Sequence, residues 1–350
     1  MEQPIIDPIS LDLIKAELTP AKKLRDTNKS RNEIYVLNHH DSPNIMKEIG
    51  RLREEAFRDS GGGSGLSMDI DEFDTMENPY QQLIVWDPEA EKILGGYRYI
   101  LGTDIRLDEN GQPLLATSHM FHFSEKFIKE YLPYTIELGR SFVSPEYQSS
   151  KAGTKALFAL DNLWDGLGAL AIEHPNMKYF FGKMTMYPEY NREARDLIQH
   201  FLFKHFEDKE NLIRPIEPKM PDADPGLLDV LLKDEDFKSD YRNLKDAIRK
   251  LGTTIPPLIN TYMNSSPTMK MFGTAVNKEF SDVEETGILI SFNEMYPEKR
   301  DRHKEPYMRH LFSRMKSRFP QMKDELAEKF SEKKDRLRDK AMAAINMKKA

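Results

Sequence analysis

The sequence contains no cysteine in its 350 residues. Disulfide bonds, thiolate metal sites and cysteine nucleophiles are therefore excluded. Long apolar runs are also missing, because the best candidate, residues 157–172, is interrupted by Asp161, Asn162 and Asp165. A membrane-spanning helix needs ~20 apolar residues. The first residues also lack the basic and then apolar regions of a secretion signal, so the sequence predicts a cytoplasmic protein.

The residues that are present are those of a globular protein with an uneven charge. Apolar residues make up 39% and charged residues 31%, which is enough for a sizeable core under a well-solvated surface. The formal net charge is −7, yet residues 302–350 carry 15 Lys and Arg against 7 Asp and Glu, a local +8. Such a basic extension could contact an acidic protein, an anionic membrane face or nucleic acid, or it could pack against its own acidic body.

Alternating strand and helix periodicities predict a mixed α/β fold. Predicted strands cover residues 33–37, 82–86, 93–101, 135–143, 179–185, 270–276 and 286–292, and predicted helices cover 44–58, 155–172 and 189–206. A segment rich in Pro and Asp and two helical stretches, 227–232 and 241–251, interrupt this order. We therefore expect a loosely structured or helical lead-in at 1–32, one domain at 33–300 with a helical insertion at about 207–258, and a basic helical extension at 301–350.

The segment 135–143 places an acid and a base inside a predicted central strand. Most of its residues are apolar or β-branched, a composition typical of strands. Glu137 and Arg140 are three residues apart, so their side chains leave opposite faces of an ideal strand. Both can serve one site only near a bulge or a strand end. A charge buried in such a strand indicates a functional role, and a structural partnership between Glu137 and a neighbouring arginine is the alternative.

A polar loop follows this strand and leads into a helix. Residues 149–154 read Ser, Ser, Lys, Ala, Gly and Thr, and the predicted helix begins directly after them. The free N–H groups at a helix N-terminus point at an anion. Strand, small-residue loop and helix together therefore form a phosphate-binding arrangement.

Four motifs occur in an order and spacing shared by one group of enzymes. They are Arg51-x-Arg53-Glu54-x-x-Phe57, Asp69-x-Asp71-x-Phe73-Asp74, Gly95-Gly96-Tyr97-Arg98 and Glu137-Leu138-Gly139-Arg140. The series resembles the motifs of acyl-homoserine-lactone synthases and of the N-acyl amino acid synthases that begin ornithine- and glycine-lipid synthesis, both within the GNAT N-acyltransferase superfamily. Later segments at 163–167, 179–182 and 280–282 are similar to motifs of the amino-lipid branch. The resemblance therefore covers roughly residues 33–292.

The resemblance implies an α/β fold of GNAT type, with a mixed central sheet flanked by helices, a helical insertion and a C-terminal helical extension. It implies direct transfer of an acyl group from a thioester to an amine, with acyl carrier protein or acyl-CoA as cosubstrate and no permanently bound cofactor. The expected acceptor is a small amino acid such as glycine or ornithine. The expected acyl group is a long 3-hydroxy chain, and the reaction would be the first step of amino-lipid synthesis.

The donor-binding residues follow from matching the loop to the family pattern Gln/Arg-x-x-Gly-x-Gly/Ala. Gln148 takes the first position, which puts Lys151 where the first glycine is expected. Close approach of the backbone to a CoA pyrophosphate is thereby disfavoured, whereas Lys151 and the helix N-terminus could still hold one pantetheine phosphate. This departure favours an acyl carrier protein as donor. The expected donor-binding set is completed by Gly153, Thr154 and the backbone N–H groups around Phe142 and Val143, which would stabilise the oxyanion.

Three residues are candidates for the chemistry. Glu137 would accept the proton of the amine, directly or through a water. Arg140 would orient that carboxylate or hold the acceptor's own carboxylate, unless it forms only a structural ion pair. Tyr190 matches the position where many acetyltransferases keep a tyrosine that protonates the leaving thiolate, and a surface or core tyrosine is the alternative.

The three aspartates of the second motif are the candidates for the acceptor site. The Gly and Glu of a calcium loop are missing at the required spacings, so no metal is predicted. In the resembling family such a cluster pairs with the arginine-bearing helix and shapes the amine site. We therefore expect an acceptor-site network of Arg51, Asp69, Asp71, Asp74 and Arg98.

Other functions remain open. An autoinducer-type synthase fits less well, because this chain is longer than those synthases and lacks their tryptophan between the first helix and the aspartates. An acetyl-CoA-dependent N-acetyltransferase is disfavoured by Lys151. A non-enzymatic acyl-binding scaffold predicts the loss of Glu137 or Arg140, and both are present. The expected partners are acyl carrier protein and the amino acid, with peripheral contact to the inner membrane through the basic extension and no nucleic acid.

Overall fold

The computed structural model describes residues 2–148, 154–233 and 236–318. Its strands are β1 (Lys23–Asp26), β2 (Glu33–Leu37), β3 (Gln81–Asp87), β4 (Lys92–Leu101), β5 (Phe121–Phe123), β6 (Thr135–Val143), β7 (Tyr179–Met186), β8 (Ile213–Pro215), β9 (Lys270–Asn277) and β10 (Val283–Ser291). Eight of them form one sheet in the order β1-β2-β3-β4-β6-β7-β10-β9, and β5 pairs with β8. Within the large sheet β6 and β7 are parallel and all other neighbours are antiparallel.

The helices are α1 (Leu11–Glu17), α2 (Pro43–Asp59), α3 (Glu72–Thr75), α4 (Pro145–Gln148), α5 (Thr154–Glu173), α6 (Arg192–Phe206), α7 (Pro225–Leu231), α8 (Phe237–Lys250), α9 (Pro257–Met263) and α10 (Pro297–Arg318). The sequence of α2 shows why such a segment becomes helical. Pro43 suits the first turn, where a missing N–H costs no hydrogen bond. Ile45, Ile49 and Leu52 follow at helical spacing and form a buried apolar side.

The two faces of the sheet carry different layers. On the back face, α5, α6, α8 and α9 pack on apolar side chains that include Ile136 and Leu138 of β6. The front face is covered by α1 and α2, by residues 102–134 and by β5 with β8. Because side chains alternate along a strand, Glu137 points to the front face between two residues that point to the back.

The sheet opens between its two parallel strands. Pairing of β6 with β7 runs only from Thr135 opposite Tyr179 to Glu137 opposite Phe181. Both strands continue well beyond these residues, to Val143 and Met186. A gap therefore begins in the middle of the sheet directly after Glu137.

Each predicted strand and helix overlaps an observed one, and the mixed sheet flanked by helices confirms the predicted fold class. The prediction of a loose or helical lead-in misses β1, which pairs with β2 at the edge of the sheet. The only buried residue of β1 is Arg25, so it shows no apolar alternation that could reveal a strand. The short elements β5, β8 and α9 are missed because tertiary contacts hold them.

The described part of the basic extension packs against the protein's own body. On α10, His303 Nδ1 lies 2.8 Å from Asp165 Oδ1, and the Tyr307 hydroxyl donates a hydrogen bond to Glu173. Both carboxylates belong to α5. Residues 319–350 of the predicted extension lie outside the described residues. Across the described ranges, no helix is both long and apolar enough to cross a bilayer.

Candidate active site

A cavity of about 460 Å³ occupies the gap between β6 and β7. Its lining comes from both faces of the sheet. The charged half, on the front face, is formed by Arg98, Glu137, Arg140, Lys183 and Glu285 together with Tyr80 and Thr117. The apolar half, on the back face, is formed by Leu160, Leu258, Ile259, Tyr262, Ile288 and Ile290. The opening in the sheet therefore joins a polar site to an apolar one.

A bulge in β6 brings Glu137 and Arg140 to the same cavity. The register between β4 and β6 shifts here, so that Arg140 and Ser141 together face the single residue Tyr97. Arg140 has a φ of +46°, in the left-handed region that few residues other than glycine adopt. A bulge re-aims the side chains that follow it. The two candidate residues thus line one cavity although they lie three positions apart.

Glu137 is buried and has hydrogen-bond donors, but no cationic partner among the described residues. Thr117 Oγ1 donates to Glu137 Oε1 over 3.0 Å, and the Tyr80 hydroxyl donates to Oε2. Burial raises the pKa of the Glu137 carboxyl, and the hydrogen bonds from Tyr80 and Thr117 oppose that rise. A higher pKa makes the carboxylate a stronger base, and each oxygen still has a lone pair for another donor.

The acidic residues Asp71 and Asp74 are held by a short helix and by two buried arginines. Asp71 is the N-cap of α3, and its side chain accepts from the Asp74 N–H over 3.2 Å. Arg98 Nη1 lies 2.7 Å from Asp71 Oδ2, and Arg53 Nη1 lies 3.2 Å from Asp74 Oδ2. Burial works against the charge of Arg98, but the Asp74 and Asp71 carboxylates outweigh it and raise the Arg98 pKa.

The structure corrects the expected place of Arg51 in this network. Arg51 pairs instead with Glu48 and Glu55 of its own helix, at N–O distances of 2.6 and 2.9 Å. Arg53, two residues further on, takes the buried position beside the aspartates. Residues two apart on a helix do not face the same side. The motif contains both arginines, and only the direction of α2 decides which one turns inward.

Arg140 connects the third aspartate to the cavity. Arg140 Nε lies 2.8 Å from Asp69 Oδ2, and Arg140 Nη2 lies 3.6 Å from Asp71 Oδ2. The guanidinium carbon also lies 4.6 Å from the centroid of the Phe280 ring, a cation–π contact. Burial raises the pKa of Asp69, and the charge of Arg140 is the strongest opposing influence. Among the described residues, Arg140 is thus an ion-pair partner of aspartates rather than of Glu137.

The sequence interpretation did not include Lys183 and Glu285, which form an ion pair in the charged half. Glu285 also accepts hydrogen bonds from Thr185 Oγ1, over 3.3 Å, and from Asn277 Nδ2, over 3.2 Å. A signal for Lys183 is present in the sequence, because it is a charged residue inside a predicted strand, which is the pattern that singles out Glu137. Glu285 lies just before the predicted strand 286–292 and has no such signal. Tyr80 and Thr117 carry no such signal, since only the fold brings them to Glu137.

The backbone of β6 directs the N–H of one of the two expected oxyanion donors toward the gap. Ser144 N–H donates to the Leu94 carbonyl over 2.8 Å. Because backbone N–H groups alternate in direction along a strand, the Phe142 N–H is directed at β4 and the Val143 N–H at the gap. The two strands approach closely here, since an added Cβ at Gly95 would lie 2.4 Å from the Phe142 carbonyl oxygen. Of the two expected oxyanion donors, Val143 has the suitable direction.

Part of the expected donor-binding loop can be located. Gln148 lines the cavity, and its Nε2 donates to the Val143 carbonyl over 2.6 Å. Thr154 is the first described residue of α5, and Ala159 and Leu160 of this helix line the cavity. The side chain of Thr154 is not described, and Lys151 and Gly153 lie outside the described residues. The binding role of this loop stays a prediction.

Tyr190 is not brought to the cavity. Its hydroxyl donates to the Thr254 carbonyl over 2.9 Å, on the back face. Tyr187 lines the cavity instead, because it directly follows the last residue of β7, whereas the turn after it carries Tyr190 away. Burial raises the pKa of the Tyr187 hydroxyl, and a hydrogen bond with Ser60 opposes the rise. Tyr187 is therefore the better-placed proton donor of the two.

Three hydroxyl groups lie together in the cavity wall. They belong to Tyr97, Ser141 and Tyr262, all of which line the cavity. Burial raises the pKa of Tyr97, and the neighbouring hydroxyls of Ser141 and Tyr262 oppose that rise. Two of these residues stand among the apolar side chains of the back face. The cluster gives an otherwise apolar wall one place where a polar group of a ligand can be bound.

The aspartates expected at the acceptor site form ion pairs with arginines. Over the ranges that the structure covers, no group of three or more His, Asp or Glu side chains could hold a metal ion. The described residues that line the cavity offer a buried carboxylate and tyrosine hydroxyls.

Known proteins resemble this chain over most of its length. A family model described as an acetyltransferase (GNAT) domain matches residues 52–157. A Bacteroides thetaiotaomicron protein named glycine N(alpha)-acyltransferase is 65% identical over 299 residues, which is 85% of this chain and 89% of that protein. A Phocaeicola vulgatus protein of the same name is 63% identical over 305 residues, 87% of this chain and 94% of that protein. No solved structure matches significantly.

Proposed function

Because this chain belongs to the GNAT N-acyltransferases together with these two relatives, we propose that it transfers an acyl group from a thioester to the amine of glycine. The observation that carries the proposal is the position of Glu137. It is a buried carboxylate without a cationic partner among the described residues, and it stands where the sheet opens between the charged and apolar halves. Glycine as the acceptor is taken from the names of the relatives.

The reaction needs one bond to form and one to break. The glycine ammonium first gives a proton to Glu137, directly or through a water, and the neutral nitrogen attacks the thioester carbonyl carbon. The tetrahedral intermediate forms its C–N bond and then loses the C–S bond. The nitrogen loses a second proton, and the thiolate takes up one to leave as a thiol. The sum is one thioester and one glycine giving N-acylglycine, a thiol and one proton released to solvent.

The groups around the gap match these steps. The Val143 N–H, directed into the gap, would donate to the oxyanion of the intermediate. Tyr187 lines the same cavity and would protonate the leaving thiolate. Glu137 takes no covalent part, and the absence of cysteine from the chain is consistent with direct attack by the amine.

The acyl donor belongs in the apolar half. Leu160, Leu258, Ile259, Ile288 and Ile290 supply a wall suited to a long hydrocarbon chain. We assign a polar group of the donor, the 3-hydroxyl of the acyl chain, to the cluster of Tyr97, Ser141 and Tyr262 hydroxyls. Acyl carrier protein is the proposed carrier, because Lys151 replaces a glycine that CoA-binding loops of the family use for close backbone approach.

An N-acylglycine with a long chain is a membrane lipid, so the reaction would begin amino-lipid synthesis. Peripheral contact with an anionic membrane would fit this product. On α10, Arg302 pairs with Asp161, and nine of the 15 Lys and Arg residues of the extension follow residue 318. Truncation after residue 318 should then weaken sedimentation with anionic vesicles in a salt-sensitive way, and unchanged sedimentation would contradict membrane contact through this extension.

Mass spectrometry of the products of purified protein tests the proposed function. Glycine and ornithine are offered separately, each with 3-hydroxyacyl and unsubstituted acyl chains of one length, carried by acyl carrier protein or by CoA. We expect N-acylglycine, with the highest kcat/KM for the 3-hydroxyacyl carrier-protein thioester. Equal use of acyl-CoA would overturn only the assignment of the carrier protein as donor. A preference for ornithine would overturn only the assignment of glycine as acceptor. Formation of no N-acyl amino acid from any donor would overturn the function.

A further inference from the structure

Three cations line the charged half, and they differ in how firmly they are held. Arg98 contacts the carboxylates of Asp71 and Asp74, and Arg140 contacts those of Asp69 and Asp71. Lys183 contacts one carboxylate among the described residues, that of Glu285. A lysine ammonium is also compact and sits on a flexible stem, whereas a guanidinium in a two-carboxylate contact is fixed in direction. Lys183 is therefore the cation of this cavity that can change partner at the smallest cost.

Glu285, the ion-pair partner of Lys183, has other hydrogen-bond donors that remain if Lys183 moves away. Glu285 is buried and accepts hydrogen bonds from Thr185 and Asn277 in addition to its ion pair. If the ammonium turns to another anion, these two neutral donors continue to satisfy the Glu285 carboxylate. A buried charge left with no donor at all would be strongly unfavourable. Glu285 can thus hold Lys183 in an empty site and release it to a ligand.

Lys183 also stands at the right place relative to Glu137. Glu137 lies opposite Phe181 at the last parallel pair of β6 and β7. Lys183 is two residues beyond Phe181, so its side chain leaves the same front face, where the gap begins. Its charge is one of those that lower the pKa of Glu137. A carboxylate and an ammonium thus border the same opening from its two sides.

We propose that Lys183 binds the carboxylate of the acceptor amino acid and that Glu285 positions Lys183 in the free enzyme. The inference rests on the proposed function and adds the residue that recognises the acceptor. An α-amino acid carries its amine and its carboxylate on one carbon. With the amine at Glu137, the carboxylate of the acceptor extends across the gap toward Lys183. An amine that lacks the carboxylate gains nothing from this contact.

Steady-state kinetics with glycine and glycinamide test this assignment, because glycinamide keeps the amine and lacks the negative charge. In the unmodified enzyme we expect a kcat/KM for glycine at least tenfold above that for glycinamide. Lys183→Met should raise the KM for glycine by about 10- to 100-fold, the effect of losing one charge-assisted contact, with a much smaller change in kcat. The kcat/KM for glycinamide should stay within about twofold, and Lys183→Arg should recover part of the glycine KM.

Lys270→Met is the matched control. Lys270 lies on the edge strand β9, pairs with Asp208 and Glu210, and does not line the cavity. Its loss should leave both KM values unchanged. An unchanged glycine KM in Lys183→Met, or equal losses with glycine and glycinamide, would overturn the inference. So would an unmodified enzyme that uses both amines equally, a measurement that needs no variant. If no amino acid is acylated at all, the proposed function fails instead.

Discussion

The charged and apolar halves of the cavity are built by different means. In the charged half, strands β4, β6, β7 and β10 supply the charged side chains, and ion pairs and hydrogen bonds fix their directions. In the apolar half, α9 and α5 close over β10, and the contacts are non-directional packing. Direction matters for a small acceptor, whose amine must meet a carbonyl carbon, whereas volume matters for a long chain. The comparison indicates that orientation of the acceptor and accommodation of the donor can be changed independently.

The largest effect is expected from the carboxylate at the boundary between the halves. Glu137→Gln should keep the fold and lower kcat by about 100-fold or more, because one positioned acid–base group contributes that much. The amide oxygen can still accept one of the two hydrogen bonds from Tyr80 and Thr117, while the amide NH2 faces the other hydroxyl as a donor, and the side chain is not a base. Turnover and thermal unfolding of the purified variant check the prediction.

Glu284→Gln is the control for this change. Glu284 is also a buried glutamate of β10 and is the neighbour of Glu285 in the sequence. Its partners are Arg195 and Gln199 on the back face, and it does not line the cavity. Its substitution should affect stability more than turnover. If Glu137→Gln turns over at the parent rate, Glu137 is structural and the role assigned to it is wrong.

A smaller effect is expected from filling the apolar half. Leu258→Trp should raise the KM for a long acyl donor by about tenfold, as one or two methylenes of lost space do in apolar pockets. The KM for glycine should not change, and short acyl donors should be affected least. Leu251→Trp is the control, since Leu251 is also half-buried on the back face but does not line the cavity. Equal losses for short and long donors would show that this half does not hold the chain.

The smallest effect concerns pH and the charged half alone. Burial raises the pKa of Glu137, and the Tyr80 hydrogen bond opposes this rise. A base works only when ionised, so kcat should increase as pH rises through that pKa. Tyr80→Phe removes an opposing hydrogen bond, raises the Glu137 pKa further and should shift the acidic limb of the kcat profile to higher pH. Tyr99→Phe, a buried tyrosine of β4 outside the cavity lining, should leave the limb in place. A shift to lower pH would contradict the assignment.

The sequence predicts those features that depend on local patterns. Strand alternation locates β2, β3, β4, β6, β7 and β9, and a charge in an apolar strand locates Glu137. The same local signal could have located Lys183. The requirement for a bulge also follows from the spacing of Glu137 and Arg140, and β6 contains one.

The remaining features depend on contacts between distant segments, which no local pattern encodes. Whether Arg51 or Arg53 turns inward depends on how α2 rotates against α3 and the sheet. Tyr190 is carried away from the cavity by a turn of three residues, although its place in the sequence fits the family pattern. The wall formed by α9 comes from residues that begin where the predicted insertion ends, and no sequence pattern assigns them to the cavity.

Two-substrate kinetics on Lys183→Met, Leu258→Trp and the double variant test the central claim, that separate halves of one cavity bind acceptor and donor. The account predicts that Lys183→Met changes only the glycine KM and Leu258→Trp only the donor KM. In the double variant the two free-energy changes should add, as they do for residues that share no partner. If either single variant raises both KM values to the same extent, the two substrates share one subsite and the division of the cavity is wrong.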